Sequence, residues 1–146
     1  MSASDESLSL TATDLRLATF RLARRLRRHR AVDGMSDAQL SVIGHLRLRG
    51  TQSISRLAEC ERVASPTMTS TVNGMVEQGW VVRVADTDDL RRVNIELTEA
   101  GHRIAEETVR RRDAALAQDL AELDFTEEEL ATLRAASALM RRVTDR

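Results

Sequence analysis

Between Ser65 and Asn73 the chain reads Ser-Pro-Thr-Met-Thr-Ser-Thr-Val-Asn, a concentration of short uncharged groups that donate and accept hydrogen bonds. Met68, Val72, Met75 and Val76 recur at i, i+4, i+7 and i+8, the spacing of one helical face. With that face on a core, Thr67, Thr69, Ser70 and Asn73 point outward, and Ser65 stands at the helix start as its N-cap with Pro66 at the first helical position. Such side chains suit base edges and phosphates. The competing reading is that they merely solvate a surface helix. Thr67, Thr69 and Thr71 are poor helix formers, however, which favours a purpose other than folding.

The elements around this segment must hold it in place. Residues 1–10 are expected to form a flexible tail. From Thr11 to about Val32, Leu15, Ala18, Leu22 and Leu26 follow helical spacing, while Leu17 and Phe20 add a second stripe, so this helix should face two neighbours. After Asp33-Gly34, Ser36 and Gln39 form a capping box, flanked by Met35 and Leu40 as a hydrophobic staple. The helix it opens carries Leu40, Ile43 and Leu46 and stops at Gly50. Ser53 caps a short third helix with Ile54, Leu57 and Ala58 inside. The helix from Ser65 comes fourth and ends at Gly79.

Beyond Gly79 the period changes to two: Trp80, Val82 and Val84 alternate with Val81, Arg83 and Ala85, and Val93, Ile95 and Leu97 share a face after Asp86-Thr87-Asp88-Asp89. This is a hairpin. Thr98 can cap a fifth helix, and Thr126 with Glu129 makes a second capping box for a sixth. Helix, turn, helix and hairpin in that order predict a mainly α fold with a small β-hairpin wing, a winged helix-turn-helix with flanking dimerisation helices. The expected divisions are a tail (1–10), an N-terminal dimerisation helix (11–34), a winged DNA-binding lobe (35–98) and C-terminal dimerisation helices (99–146).

Composition closes off other classes. The 146 residues are 42% hydrophobic and 31% charged, which suits one compact soluble domain or a domain plus an arm. No apolar run approaches the roughly 18 residues of a membrane span, and the first residues lack a basic start and an apolar centre, so a cytoplasmic protein is expected. Cys60 has no cysteine to pair with, and His29, His45 and His102 show no metal-ligand spacing, so neither metal nor cofactor is expected. No nucleophile–base constellation, Gly-rich phosphate loop or paired carboxylates point to an enzyme. All 22 basic residues are Arg. Arg16 to Arg30 holds seven of them and no acid, whereas Asp119 to Glu129 holds six acids and no base. The two segments are expected to pair, within or across subunits; a basic nucleic-acid patch on the first helix is the alternative.

From Asp89 to Thr98 the hairpin carries Asp-x-Arg-x5-Leu-Thr. This resembles the wing of the multiple-antibiotic-resistance regulator (MarR) family. The resemblance extends to the leading helix, the Ser-Ile-Ser-Arg-Leu-Ala segment, Ser65 to Asn73, Gly79-Trp80-Val81-Val82-Arg83 and the two closing helices. It implies a homodimeric transcriptional regulator, a repressor, binding double-stranded DNA at a palindromic operator, with Arg91 in the minor groove and Asp89 holding it. The physics agrees, since a narrow minor groove attracts a guanidinium that a carboxylate can orient. The competing reading is a surface ion pair worth under about 1 kcal/mol. Where similar proteins commonly have an Arg in mid-recognition helix, register gives Ser70, so positive charge must come from Arg56, Arg62, Arg83, Arg91 and Arg92. That departure keeps a rival open, a winged-helix scaffold for protein binding.

A winged lobe needs only about residues 35 to 98, so the flanking helices require a purpose, and dimerisation through Leu15, Leu22, Leu26, Leu116, Leu120, Leu133 and Met140 supplies one. The resemblance further implies release of DNA by a small anionic aromatic effector or by thiol oxidation. A pocket between the first helix, the fifth helix and the winged lobe would involve Arg16 or His45. Cys60, at the end of the third helix, reads as a small buried hydrophobe.

Overall fold

In the computed structural model, which describes residues 3–89 and 92–144, the order is α1 (Ala3–Leu26), α2 (Asp37–Arg49), β1 (Gln52–Ser53), α3 (Ile54–Glu61), α4 (Ser65–Glu77), β2 (Val81–Ala85), β3 (Val93–Leu97), α5 (Glu99–Glu122) and α6 (Glu127–Thr144). The mainly helical fold with a hairpin wing is as expected. The chain divides into two compact units, Met1–Arg112 and Asp113–Arg146, with the division inside α5. None of the described helices is long and apolar enough to cross a membrane.

The core of the first unit lies under the wing. Leu40, Val42, Ile43 and Leu46 of α2, Leu57 and Ala58 of α3, Met68, Val72 and Met75 of α4, and Val81, Ile95 and Leu97 of the sheet form one buried cluster with Met35 and Ala105. Val76, the fourth member of the α4 stripe, is half-buried against it. The capping box of α2 is present in both directions: Gln39 N donates to Ser36 Oγ at 3.1 Å and Ser36 N to Gln39 Oε1 at 2.9 Å. Ser53 caps α3 as expected, its Oγ accepting from Arg56 N at 3.1 Å.

Three boundaries differ from expectation. The segment expected as a tail is helical from Ala3, because Asp5 and Glu6 in the first turn complement the positive helix terminus. The same helix stops at Leu26, short of Val32, and Arg30 then ties the connecting loop to the Met35 carbonyl and to Asp37. The N-cap of α4 is Ala64, extended at φ −67° and ψ 146° with no side-chain bond, so Ser65 is already helical and Pro66 sits one position further in. A proline is still tolerated there, since the first four N–H groups of a helix have no partner within it.

The sheet has a third member that the sequence pattern missed. β1 pairs antiparallel with β3, Gln52 opposite Ile95, giving the order β1-β3-β2. In the hairpin Val81 faces Leu97, Arg83 faces Ile95 and Ala85 faces Val93. Val81, Ile95 and Leu97 point into the core, while Val82 and Val93 are exposed near the wing.

The start of α5 seals the lobe. Thr98 Oγ1 donates to Gly79 O at 2.6 Å and accepts from Gly101 N at 3.1 Å, so one hydroxyl caps α5 and holds the turn after α4. Thr98 N donates to Trp80 O at 3.1 Å. Gly101 makes this approach feasible: a Cβ there would lie 2.1 Å from Trp80 O and 3.0 Å from Leu97 Cδ2. Further along, the buried Thr108 accepts from Ala31 N at 3.2 Å, and Arg111 Nη1 donates to Arg30 O at 2.9 Å. The loop after α1 is thereby fastened to α5.

In the second unit, Thr126 and Glu129 form the expected capping box, with Thr126 N donating to Glu129 Oε2 at 2.8 Å and Glu129 N to Thr126 Oγ1 at 3.2 Å. Leu133, Leu139 and Val143 on α6 are exposed.

Gly101→Ala is expected to lower unfolding free energy by about 1–3 kcal/mol, the usual cost of overpacking, because the obstructing atom is backbone. Urea denaturation followed by circular dichroism checks this; an unchanged midpoint would show that α5 can shift at no cost.

Candidate nucleic-acid interface

Burial of Met68, Val72 and Met75 fixes the rotation of α4 about its axis. Ser65, Thr67, Ser70 and Asn73 are consequently exposed and Thr69 half-exposed, so the structure brings these expected residues onto one helix. Two hydroxyls turn back to their own helix: Thr69 Oγ1 donates to Ser65 O at 2.9 Å and Thr71 Oγ1 to Thr67 O at 3.1 Å. Each keeps acceptor lone pairs and a methyl group for an outside partner.

Asn73 is engaged from the wing. Arg83 of β2 donates through Nη2 to Asn73 Oδ1, linking strand and helix in a way sequence spacing did not reveal. Val81 and Arg83 share strand parity, so the face that buries Val81 carries Arg83 toward α4, where the core gives out. Alternation was the available signal, but it said nothing of the helix beside the strand.

The wing loop is organised by Asp86. Its Oδ1 accepts from the amides of Asp88 and Asp89 at 2.9 and 3.0 Å, and its Oδ2 accepts from Asn94 Nδ2 at 2.8 Å. The Asp86 and Arg92 backbones close the base, Asp86 N donating to Arg92 O at 3.0 Å. The Asn94 amide, then the amides of Asp89 and Asp88, hold the Asp86 carboxyl below the ordinary aspartate range. An aspartate bonding the amides two and three residues on is a recognised turn former, so this role was open to sequence reading.

The other expected cations are spread around the lobe. Arg56 pairs with Glu59 at 3.0 Å. Arg92 lies 3.6 Å from Asp89, a long exposed contact of little energetic weight. Arg62 is exposed at the exit of α3 in the left-handed conformation, φ 54°. Arg91 lies outside the described residues, and with it the expected Asp89–Arg91 pairing. A cleft of about 690 Å³ separates the start of α3 from the wing base, lined by Ser53, Ser55, Arg56, Asp86, Arg92 and Asn94.

A second cleft, of about 680 Å³, is lined by Leu26, Arg27, Leu40, His45, Glu61 and Arg112, among others. Expected Arg16 is not in its wall; it lies further up α1. His45 Nε2 is 2.9 Å from Glu61 Oε1, which also accepts from Ser41 Oγ. The Nε of Arg112 is buried without a hydrogen-bond partner. Burial, then the charges of Arg30 and Arg27, hold this guanidinium below its usual range, against a weaker opposing pull from Asp37. Cys60 is half-buried, and no group of three or more metal-ligating side chains occurs among the described residues.

Comparison with known proteins agrees with this geometry. The MarR family model matches residues 33–92, the span from the α1–α2 loop into the wing. An HTH-type transcriptional regulator of Mycobacterium bovis, itself uncharacterised, is 34% identical over 134 residues, covering 92% of each chain. The chain belongs to the MarR family. A MarR-family protein of Bacillus stearothermophilus superimposes with a TM-score of 0.78 at 25% identity, covering 97% of this chain and 98% of that one. The HTH-type transcriptional repressor MdtR of Bacillus subtilis is 31% identical over 97 residues, 66% of this chain and 61% of its own. This MarR-family chain is a DNA-binding transcriptional regulator, and the family's members are not enzymes.

Because the Asp86 carboxyl titrates below its unfolded value, its contribution is complete above about pH 4 and is lost as pH falls through the lower folded value. NMR titration of the Asp86 carboxyl carbon should give a midpoint below that of free aspartate, and the Asn94 side-chain amide should follow the same step, which Asp86→Asn should remove from it. A midpoint at or above the ordinary value contradicts this account of the wing.

Proposed function

We propose that the protein acts as a homodimeric repressor on a palindromic operator, with α4 in the major groove and the wing, through Arg91, in the minor groove. One observation carries the reading: the buried stripe of α4 leaves Thr67, Ser70 and Asn73 facing solvent beside the wing. MdtR, a relative named as a repressor, supports the sign of regulation.

Dimerisation rests on α1 and the second unit. Leu15, Leu22 and Phe20 are 39%, 43% and 64% exposed in the single chain, on a helix with apolar residues on two stripes. Leu133 is exposed too, while Leu26, Leu116, Leu120 and Met140 are half-buried and would complete the contact. Two copies joined there would set the recognition helices about 34–36 Å apart, one turn of DNA. Ser65, Thr69, Arg56, Arg62 and Arg92 would serve phosphates and the groove edge, with Asp89 steadying Arg91. A small anionic aromatic effector would suit the cleft at Arg27, His45 and Arg112, whose apolar wall includes Leu26 and Leu40.

Selection of bound genomic fragments by the purified protein tests the reading directly. Binding should be to a palindrome, with a log–log salt slope near −0.9 per phosphate neutralised. Arg91→Ala should weaken operator binding by about 1–3 kcal/mol without altering the dimer. Equal affinity of mutant and parent would remove the wing from the mechanism. Leu22→Asp should give monomers or unfolded chain by analytical ultracentrifugation, and an intact mutant dimer would contradict the interface.

A further inference from the structure

We infer that Arg83 sets the base preference of Asn73, making it a reader of guanine where an unconstrained asparagine would read adenine. The inference rests on the proposed placement of α4 in the major groove. Arginine has only donors, so the Asn73 atom facing Arg83 must be the carbonyl oxygen, and the amide orientation is fixed. An asparagine reads adenine by accepting from N6 while donating to N7, which needs its oxygen and nitrogen together. Here one lone pair of the oxygen carries a charge-assisted bond from Arg83, whose positive charge and bulk disfavour a second donor such as adenine N6 on the same oxygen, and the amide nitrogen is left with two donors.

The surroundings reinforce that polarity. Asn73 and Arg83 are both exposed, so the pair presents N–H groups outward and complements the two acceptors of a guanine edge, N7 and O6. One turn earlier, Thr69 has spent its only donor on Ser65 O and offers acceptors and a methyl. The helix therefore carries a donor position at Asn73 and an acceptor position one turn before it, an ordered pattern despite having no charged side chain between Ser65 and Gly74. Arg83 is a positioning residue in this scheme, acting on sequence through Asn73.

A randomised palindromic duplex library, selected in parallel with the parent protein and with the Asn73→Ala, Arg83→Met and Arg83→Lys variants, tests the inference. The Asn73→Ala profile identifies the base pair that Asn73 contacts, as the one where preference is lost. The parent should favour guanine over adenine there by about ten-fold. Arg83→Met, with its fold checked by circular dichroism, should shift that same position toward adenine, and Arg83→Lys, which keeps a donor, should retain guanine. If Arg83→Met weakens all sequences equally with no shift at that base pair, Arg83 is a phosphate anchor and the inference is overturned while the DNA reading stands. An Asn73→Ala profile identical to the parent's also overturns it. Failure of the folded parent to select any sequence overturns both.

Discussion

Three side chains on one stripe of α4 decide which of its residues can meet a partner. Met68, Val72 and Met75 are almost completely buried, against Leu57 and Ala58 of α3 and the inner face of the hairpin in one cluster. Rotation of the helix by a single position, about 100°, would carry all three away from the core, at a cost of roughly 1.5–3 kcal/mol for each side chain exposed. The polar face is thus held by hydrophobic burial on the opposite side. The same burial explains how a helix with three threonines persists, since tertiary packing outweighs propensity.

The wing depends on the same core through different means. Its inner residues, Val81, Ile95 and Leu97, join the buried cluster, but its loop is held by polar contacts centred on one carboxylate. Asp86 bonds forward to Asp88 and Asp89 and across to Asn94, so it fixes the turn and the strand ends together. The strand ends thus stand on a packed base and on partly buried hydrogen bonds to a carboxylate, two supports that answer differently to acid and to denaturant.

Periodicity and capping chemistry revealed most of the architecture. Ser36 with Gln39, Ser53, Thr98 and Thr126 with Glu129 all cap as their spacing indicates, because capping is local and needs only a few residues in order. Strand β1 escaped because two residues cannot display an alternation. Helix α1 escaped over its first turns because its sequence lacks a sharp apolar stripe there, while the acids that favour a helix terminus also suit an exposed tail. The polar face of α4 was legible; its wiring was not. The Arg83–Asn73 bond joins residues ten apart on two elements, and only their packing angle brings them together. Likewise, the fit of Gly101 against Trp80 O belongs to a three-dimensional approach that no window of sequence encodes.

The left-handed exit of α3 at Arg62 bears on how the lobe can drift over evolutionary time. Glycine at this position would relieve a backbone penalty of about 1–2 kcal/mol, so selection for stability alone pulls toward it. β-Branched replacements are closed off by the same geometry. An arginine here therefore carries a backbone cost that folding stability alone does not repay, and substitution by glycine is the one change at this corner that the backbone itself favours.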